Sequence, residues 1–421
     1  PVLRIDIPRV QEELEKEIGG KAAALLRSGA SIEDLMSNEK FAELLRRVGV
    51  HPPMKISPST GKPTYAFAKS DLDFQTLLQH SNKQVAALAE ARLKVKSTIG
   101  ETRAVRFLEA GKNGMCLPIL LNYSGAHTHR WSGGNKMNLQ NLKRGGELRR
   151  SILAPKGHVI VVADSAQIEA RVLAWLAGQL DIVNAFAMKE DVYKLMASAI
   201  YGVPVDQVTK DQRFIGKICV LGLGYGMGHL KLQQTLKQGV MGPPVDILFE
   251  ECKRIVSIYR SRNYKIRQLW KTMDGIIASM LTGTHGEFGP LTYGKGYIQL
   301  PSGLFLQYYG LHGEAEVRHD DLVVNEATYL TRQGRSKIYG GLLTENVVQA
   351  LARCIIADQM LEISKKYRVV TMTHDEIVVV CPKKDAKKCL ADMLQVMSTA
   401  PEWADGLPLA AEGGYDDCYS K

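Results

Sequence analysis

VIVVADSAQIEARVLAWLAG, residues 159–178, decides how the rest of the chain is read. The apolar run Val159–Ala163 stops abruptly at Asp164, and Glu169 and Arg171 follow inside a stretch of helical character. An unbroken apolar run of this length suits a strand buried on both faces. A carboxylate at the tip of such a strand is costly unless it is paired, solvated at a cleft or bound to a cation. Taken alone, Asp164 also has a plainer reading, as the N-cap of the helix that follows.

The frame around this unit is large. At 421 residues the chain is too long for one compact core and implies two or three lobes. Its composition, 45% hydrophobic and 23% charged, is that of an ordinary globular protein. No stretch approaches the length of apolar sequence that a transmembrane helix needs, and PVLRIDIPRV lacks the layout of a signal peptide. A chain that opens on proline without methionine is expected to be processed, or to be part of a longer polypeptide. The cysteines (Cys116, Cys219, Cys252, Cys354, Cys381, Cys389 and Cys418) are scattered, odd in number and contain no CxxC. That pattern favours free thiols in a reducing compartment over a disulfide frame or a zinc site. The net charge of +10 points to a polyanionic partner, most simply nucleic acid.

Residues 10–110 read as helical, with VQEELEKEI and QVAALAEARLKVK broken by the loop HPPMKISPSTGKPT. MCLPILLNYSG then reads as strand, HTHRWSGGNKMNLQNLKRGGELRRS as polar, basic loop, and 158–163 as strand again. Residues 167–235 return to helix in at least three pieces, and 239–340 are mixed, with Gly-rich loops. A helical TENVVQALARCIIADQMLEISKKY precedes RVVTMTHDEIVVVC, two β-rich runs around one acidic pair. The fold class is therefore α+β, with helical lobes on both sides of a sheet assembled from distant segments.

Three further stretches carry chemistry. In THDEIVVV the apolar runs on either side deliver His374, Asp375 and Glu376 at a tight hairpin. Such an acid could be a solvated turn residue. Two strands each delivering an acid would instead suit hard divalent ions, which prefer oxygen ligands and leave room for substrate phosphates. In RFIGKICVLGLGYGMG, the residues Arg213, Lys217, Leu221 and Tyr225 are spaced by four and share one helix face. A triphosphate would meet the two cations and a base could stack on the ring; the plainer reading is a solvated basic face with a buried tyrosine. Glycines 222, 224, 226 and 228 suit close approach of another chain, or a hinge. The loop THRWSGGNKMNLQNLKRGG, with LRRS after it, offers groove-reading side chains and the phosphate-binding cations Lys143, Arg144, Arg149 and Arg150, or is simply a polar surface loop.

In this order the four stretches resemble the A-family DNA polymerases, the DNA polymerase I group. The signatures D-x-x-Q-I-E-x-R, R-x3-K-x7-Y-G and H-D-E stand here as DSAQIEAR, RFIGKICVLGLGYG and HDE, and NLQN, TENVVQALAR and KVKST also match. KSTIGETR and ENVVQALAR are closer to the phage-like branch. The resemblance implies a right-hand polymerase fold: a helical thumb at 1–112, an antiparallel-sheet palm at 113–178 and 340–421, and helical fingers at 179–339 carrying a 213–225 helix. It implies primer-dependent, template-directed DNA synthesis from dNTPs on primer–template DNA, with two Mg²⁺ ions, or Mn²⁺ in their place. Asp164, the Ser165 carbonyl and Asp375 are then metal ligands, and Glu376 supports them. Arg213 and Lys217 grip the triphosphate, with Lys217 as proton donor to pyrophosphate. Tyr225 lies under the nascent pair and Glu169 against the sugar 2′ position; Gln167, Leu221 and Tyr193 complete the nucleotide site. Arg130, Asn138, Gln140 and Gln349 contact the primer–template minor groove, His374 the primer end, and Lys96, Ser97 and Thr98 the duplex at the thumb.

Three positions depart from the family pattern. Ser165 and Ala166 replace the usual Tyr-Ser, Tyr193 stands where many members have histidine, and Leu221 stands where most have Phe or Tyr. No acid cluster of a proofreading exonuclease is evident, so the chain reads as a polymerase module. It is expected to act as a monomer, away from membranes, in the cytoplasm or in a host's cytoplasm if phage-encoded. The alternatives are a single-subunit RNA polymerase, against which Glu169 argues by obstructing a 2′-hydroxyl, and a catalytically inactive DNA-binding subunit.

Overall fold

The computed structural model describes residues 3–57, 61–112, 117–134, 137–239, 242–318 and 321–420. At its centre lies a four-stranded antiparallel sheet, in the spatial order Arg368–Thr373, Glu376–Pro382, His158–Ser165, Ala411–Asp416. The two inner strands are apolar at nearly every position because both of their faces are covered. Val159, Val161, Ala163, Ile377 and Val379 enter one core, shared with the long helix Gly340–Ser364. Ile160, Val162, Val378 and Val380 enter the opposite core, with Phe107 and Leu108 of the N-terminal lobe. Burial of each such side chain stabilises the fold by about 1.5–3 kcal/mol before entropy is counted.

The N-terminal lobe is built on the helices Ile7–Ser28, Lys83–Lys96 and Ile99–Lys112, which pack together. The first starts at Asp6, whose carboxylate accepts from the Arg9 backbone N at 3.2 Å, and stops at Gly29 with φ 64°. The lobe has its own core around Phe41, Phe67 and Phe74. There the Arg92 guanidinium lies 4.5 Å from the Phe41 ring centroid and 4.8 Å from that of Phe67. Burial pulls Arg92 down to about 10, and it is held by donating to the carbonyls of Leu35 at 2.6 Å and Ser37 at 3.2 Å.

The segment 179–339 does not share one core. Met196, Ile215, Cys219, Leu232 and Tyr259 form a core of their own. Leu269, Met273, Ile277, Ile298 and Tyr308 instead join the core under the central sheet, because the helix Tyr264–Thr282 packs along Gly340–Ser364. The second half of this segment, rich in short strands, is therefore seated on the palm side.

Several local expectations are corrected. Among its described residues, MCLPILLNYSG contributes only the two-residue strand Leu121–Asn122, because its partner Ser132–Gly133 is equally short and Pro118 offers no backbone donor. Residues 113–116, Cys116 included, lie outside the described residues. HPPMKISPSTGKPT is not all loop: Met54–Ile56 and Pro63–Tyr65 pair as a hairpin, with 58–60 outside the described residues. The 213–225 helix ends at Gly222, and Leu223–Tyr225 forms a 3-10 turn instead. Gly224 allows this turn to press on the helix Ile168–Ala177, since a Cβ there would lie 2.5 Å from Leu173 Cδ2. Gly226, at φ 84°, then reverses the chain. The other six cysteines are free. No helix among the described residues is long and apolar enough to cross a membrane.

Candidate active site

Asp164 is not a helix cap. It is the penultimate residue of the strand His158–Ser165, and the next helix begins only at Ile168. Antiparallel register sets Asp164 opposite Glu376 on one side and Glu412 on the other. The adjoining hairpin turns through His374, at φ 55°, and Asp375, between the paired residues Thr373 and Glu376. The Ser165 backbone N donates to the Asp375 carbonyl at 2.9 Å. That bond ties the two acidic tips together across a long stretch of intervening sequence.

The three acids have different surroundings. Asp164 faces Arg144 at 3.8 Å. Asp375 lies 3.6 Å from Arg130, yet burial pushes its carboxyl up to about 6, with Glu169 and Asp164 adding to the rise against the pull of Arg130. Glu376 is buried, held by Arg149 at 2.8 and 2.9 Å and by the Tyr419 hydroxyl. The Arg149 guanidinium also lies 3.8 Å from the Tyr419 ring centroid. Burial raises the Glu376 carboxyl, and Tyr419 and Arg149 pull it back.

Of these acids, Asp375 opens onto a cleft of about 630 Å³, which Gln167, Glu169, Leu221, Tyr225 and Glu345 also line. Glu169 accepts from Arg130 and from the Tyr225 hydroxyl, the latter at 3.4 Å. Burial, with Glu169 beside it, holds the Tyr225 phenol well above its ordinary value, so it stays neutral and can donate. The cations on the fingers helix do not line this cleft. Arg213 pairs with Asp191 at 2.6 Å and lies 5.2 Å from the Tyr193 ring centroid. Lys217 is half-buried and makes no ion pair with the described residues. Tyr193 is buried; burial raises its hydroxyl, and Gln167 beside it lowers it in part.

The residues expected at DNA divide into four groups. Arg130 and His374 stand beside Asp375, and the His374 imidazole is lowered by burial and by Arg130. Gln349 donates to Glu345 at 3.2 Å and accepts from Thr128 at 3.3 Å. Asn138 caps its own 3-10 turn by accepting from the Gln140 N at 2.9 Å, while Gln140 is buried with Nε2 unpartnered. Leu139 and Leu142 draw that turn into the core shared with the N-terminal lobe. Lys96 and Ser97 line a separate groove on that lobe, and Thr98 follows them before the helix Ile99–Lys112. Glu345 was missed from sequence, although its spacing of four from Gln349 sets both on one helix face. Arg149, expected from the sequence to hold phosphate, is instead buried against Glu376 and the Tyr419 ring, and no local pattern marks Tyr419.

Mg²⁺ fits the donor set. Asp164 and Asp375 supply hard oxygens, and a cation would offset the burial that raises Asp375. Among the described residues no three His, Cys, Asp or Glu side chains form a ready-made cage. Such a set suits two carboxylates and a backbone carbonyl completed by substrate oxygens.

The family model for DNA polymerase family A matches residues 8–279. The chain belongs to DNA polymerase family A. Among its relatives, the DNA polymerase of Bacillus phage SP02 is 28% identical over 378 residues, covering 78% of this chain and 57% of the phage protein. DNA polymerase I of Pseudomonas aeruginosa is 36% identical over 241 residues, 52% of this chain and 24% of the bacterial one. This family A chain thus aligns with little more than half of the phage relative's length. A structure of the polymerase domain of Pol1 from M. smegmatis, solved in complex with DNA primer-template and dNTP, covers all of this chain and 67% of its own. It does so at a TM-score of 0.70 and 18% identity, a likeness of fold. The fold is the right-hand polymerase fold, with an antiparallel-sheet palm between helical thumb and fingers.

Proposed function

We propose that this family A chain is a DNA-directed DNA polymerase that joins dNTPs to the 3′-hydroxyl of a primer paired to a DNA template, releasing pyrophosphate. The observation that carries the reading is the sheet-tip arrangement: Asp164 and Asp375 on adjoining tips tied by the Ser165 N–Asp375 carbonyl bond, with Asp375 lining a cleft walled by Glu169, Leu221 and Tyr225. Two Mg²⁺ ions, or Mn²⁺, held by Asp164, Asp375 and the Ser165 carbonyl would activate the attacking oxygen and stabilise the leaving one. Arg213 and Lys217 bind the triphosphate, and Lys217 passes a proton to the departing pyrophosphate. Tyr225 supports the nascent pair, and Glu169 fills the volume that a 2′-hydroxyl would need. Arg130, now on Glu169 and Asp375, turns to the minor groove when DNA enters.

Primer extension tests the reading. Asp164→Ala or Asp375→Ala should abolish nucleotide addition and leave primer–template binding nearly unchanged, because backbone contacts are spread over many cations. Retention of even a few per cent of the parent rate would remove the metal assignment.

A further inference from the structure

A further groove, of about 650 Å³, runs between the loop at 124–129 and the small sheets seated on the palm. Its wall carries His127, His129, Phe305, Tyr309, Tyr329 and the exposed Arg332, and no acid is among the described residues that line it. The inner rings are held in place. His127 lies 5.0 Å from Tyr308 and 5.7 Å from Tyr329 between ring centroids, and those two tyrosines are 5.2 Å apart. His129 Nε2 is hydrogen-bonded to the Phe305 carbonyl at 2.9 Å, while its Nδ1 is buried without a partner. The outer rings are open: Tyr309 is 68% exposed and Phe305 39%. The groove adjoins the cleft through the chain itself, since His129 precedes Arg130, which bridges Glu169 and Asp375.

We propose that this groove binds an unpaired stretch of the template strand, its bases stacking on Tyr309 and Phe305 and its phosphates meeting Arg332. The proposal rests on the polymerase reading for its substrate. Open aromatic faces bind bases that have none of their own neighbours to stack on, and every base offers such a face. A duplex hides its base faces inside the stack, so exposed rings favour the single strand. Lack of acids in the lining leaves nothing to repel phosphates, and Arg332 on the hairpin turn between Asp321–Thr331 and Gly334–Lys337 adds attraction.

Fluorescence anisotropy on two substrates tests it. One is a primer–template with an overhang of roughly ten unpaired template nucleotides, within the site sizes of about 4–16 known for single-strand grooves. The other is the same duplex with a single unpaired nucleotide. Tyr309→Ala should weaken binding to the long overhang by roughly 5- to 150-fold, as loss of base stacking does, and leave the short one unchanged. Tyr309→Phe keeps the ring and should bind as the parent does. 2-Aminopurine in the overhang should be quenched by parent and Tyr309→Phe, and not by Tyr309→Ala. Equal losses on both substrates, no loss on the long one, or a Phe variant as weak as the Ala variant would overturn the proposal. Extension of the short-overhang primer by the parent reports separately on the polymerase reading. A parent that binds overhangs through Tyr309 but extends nothing would sink that reading and leave the groove standing.

Discussion

Glu169 joins two neighbours at the cleft. It accepts from Arg130 and from Tyr225 while facing the cleft. On the proposed reading, in which the carboxylate sterically excludes a 2′-hydroxyl, Glu169→Ala should admit ribonucleotides. Single-turnover incorporation of rNTP against dNTP checks this, and an unchanged ratio would put the gate elsewhere. Leu221 lines the same cleft and is half-buried. It has no hydroxyl to replace the hydrogen bond that a dideoxynucleotide cannot make to its own phosphates, so the parent should discriminate strongly against ddNTPs. Leu221→Tyr should relax the ddTTP/dTTP discrimination by roughly 10- to 150-fold, the worth of one hydrogen bond to a charged group. If the ratio stays fixed and only stability falls, Leu221 acts as packing alone.

At the scale of the element, the helix Lys210–Gly222 carries Arg213 and Lys217 in different surroundings. Arg213 is engaged by Asp191, whose carboxylate also caps the neighbouring helix Val192–Tyr201 by accepting from the Tyr193 and Lys194 backbone N. This pair is about 40% and 31% exposed, so it contributes about 0–1 kcal/mol to stability. Arg213→Ala should therefore leave folding intact and chiefly weaken nucleotide binding. Lys217→Ala should lower the maximal rate by about 10²–10⁴-fold, the usual contribution of a general acid. Rapid-quench kinetics separate the two. A Lys217→Ala enzyme with a higher apparent nucleotide Kd and an unchanged maximal rate would lose the proton-donor role.

Across the whole molecule, the buried cluster of Arg149, Glu376, Tyr419 and Thr373 links the short helix Glu147–Arg150, the hairpin that carries Asp375 and the C-terminal end of the described chain. Tyr419 reaches Glu376 and lies 3.2 Å from the Thr373 hydroxyl. Removing one partner of a buried pair strands the other charge, at about 3–5 kcal/mol. Arg149→Met should thus lower the Tm markedly, and adding Glu376→Gln should restore part of the loss by removing the stranded carboxylate. Thermal denaturation of the single and double variants checks this; an undisturbed Tm in Arg149→Met would show that Tyr419 alone holds Glu376.

The sequence by itself determined the family, the doubly buried strand, and the hairpin that carries Asp375, because these follow from local patterns: an apolar run, β-branched flanks, fixed motif spacing. It also marked Asp164 as an expensive residue in want of a partner. Only the tertiary structure decided that the Ser165 N–Asp375 carbonyl bond brings the two tips together, that Arg130 bridges Glu169 and Asp375, and that Gln140 turns into a core. It also decided that the fingers helix breaks at Gly222, since a helical repeat of four continues through Tyr225 on paper. What breaks it is the turn at Gly224, pressed on Leu173, with Trp270 Nε1 donating to the Gly224 carbonyl at 2.8 Å. Those partners come from segments far apart in the chain, and their meeting depends on how whole elements pack, which no local spacing encodes.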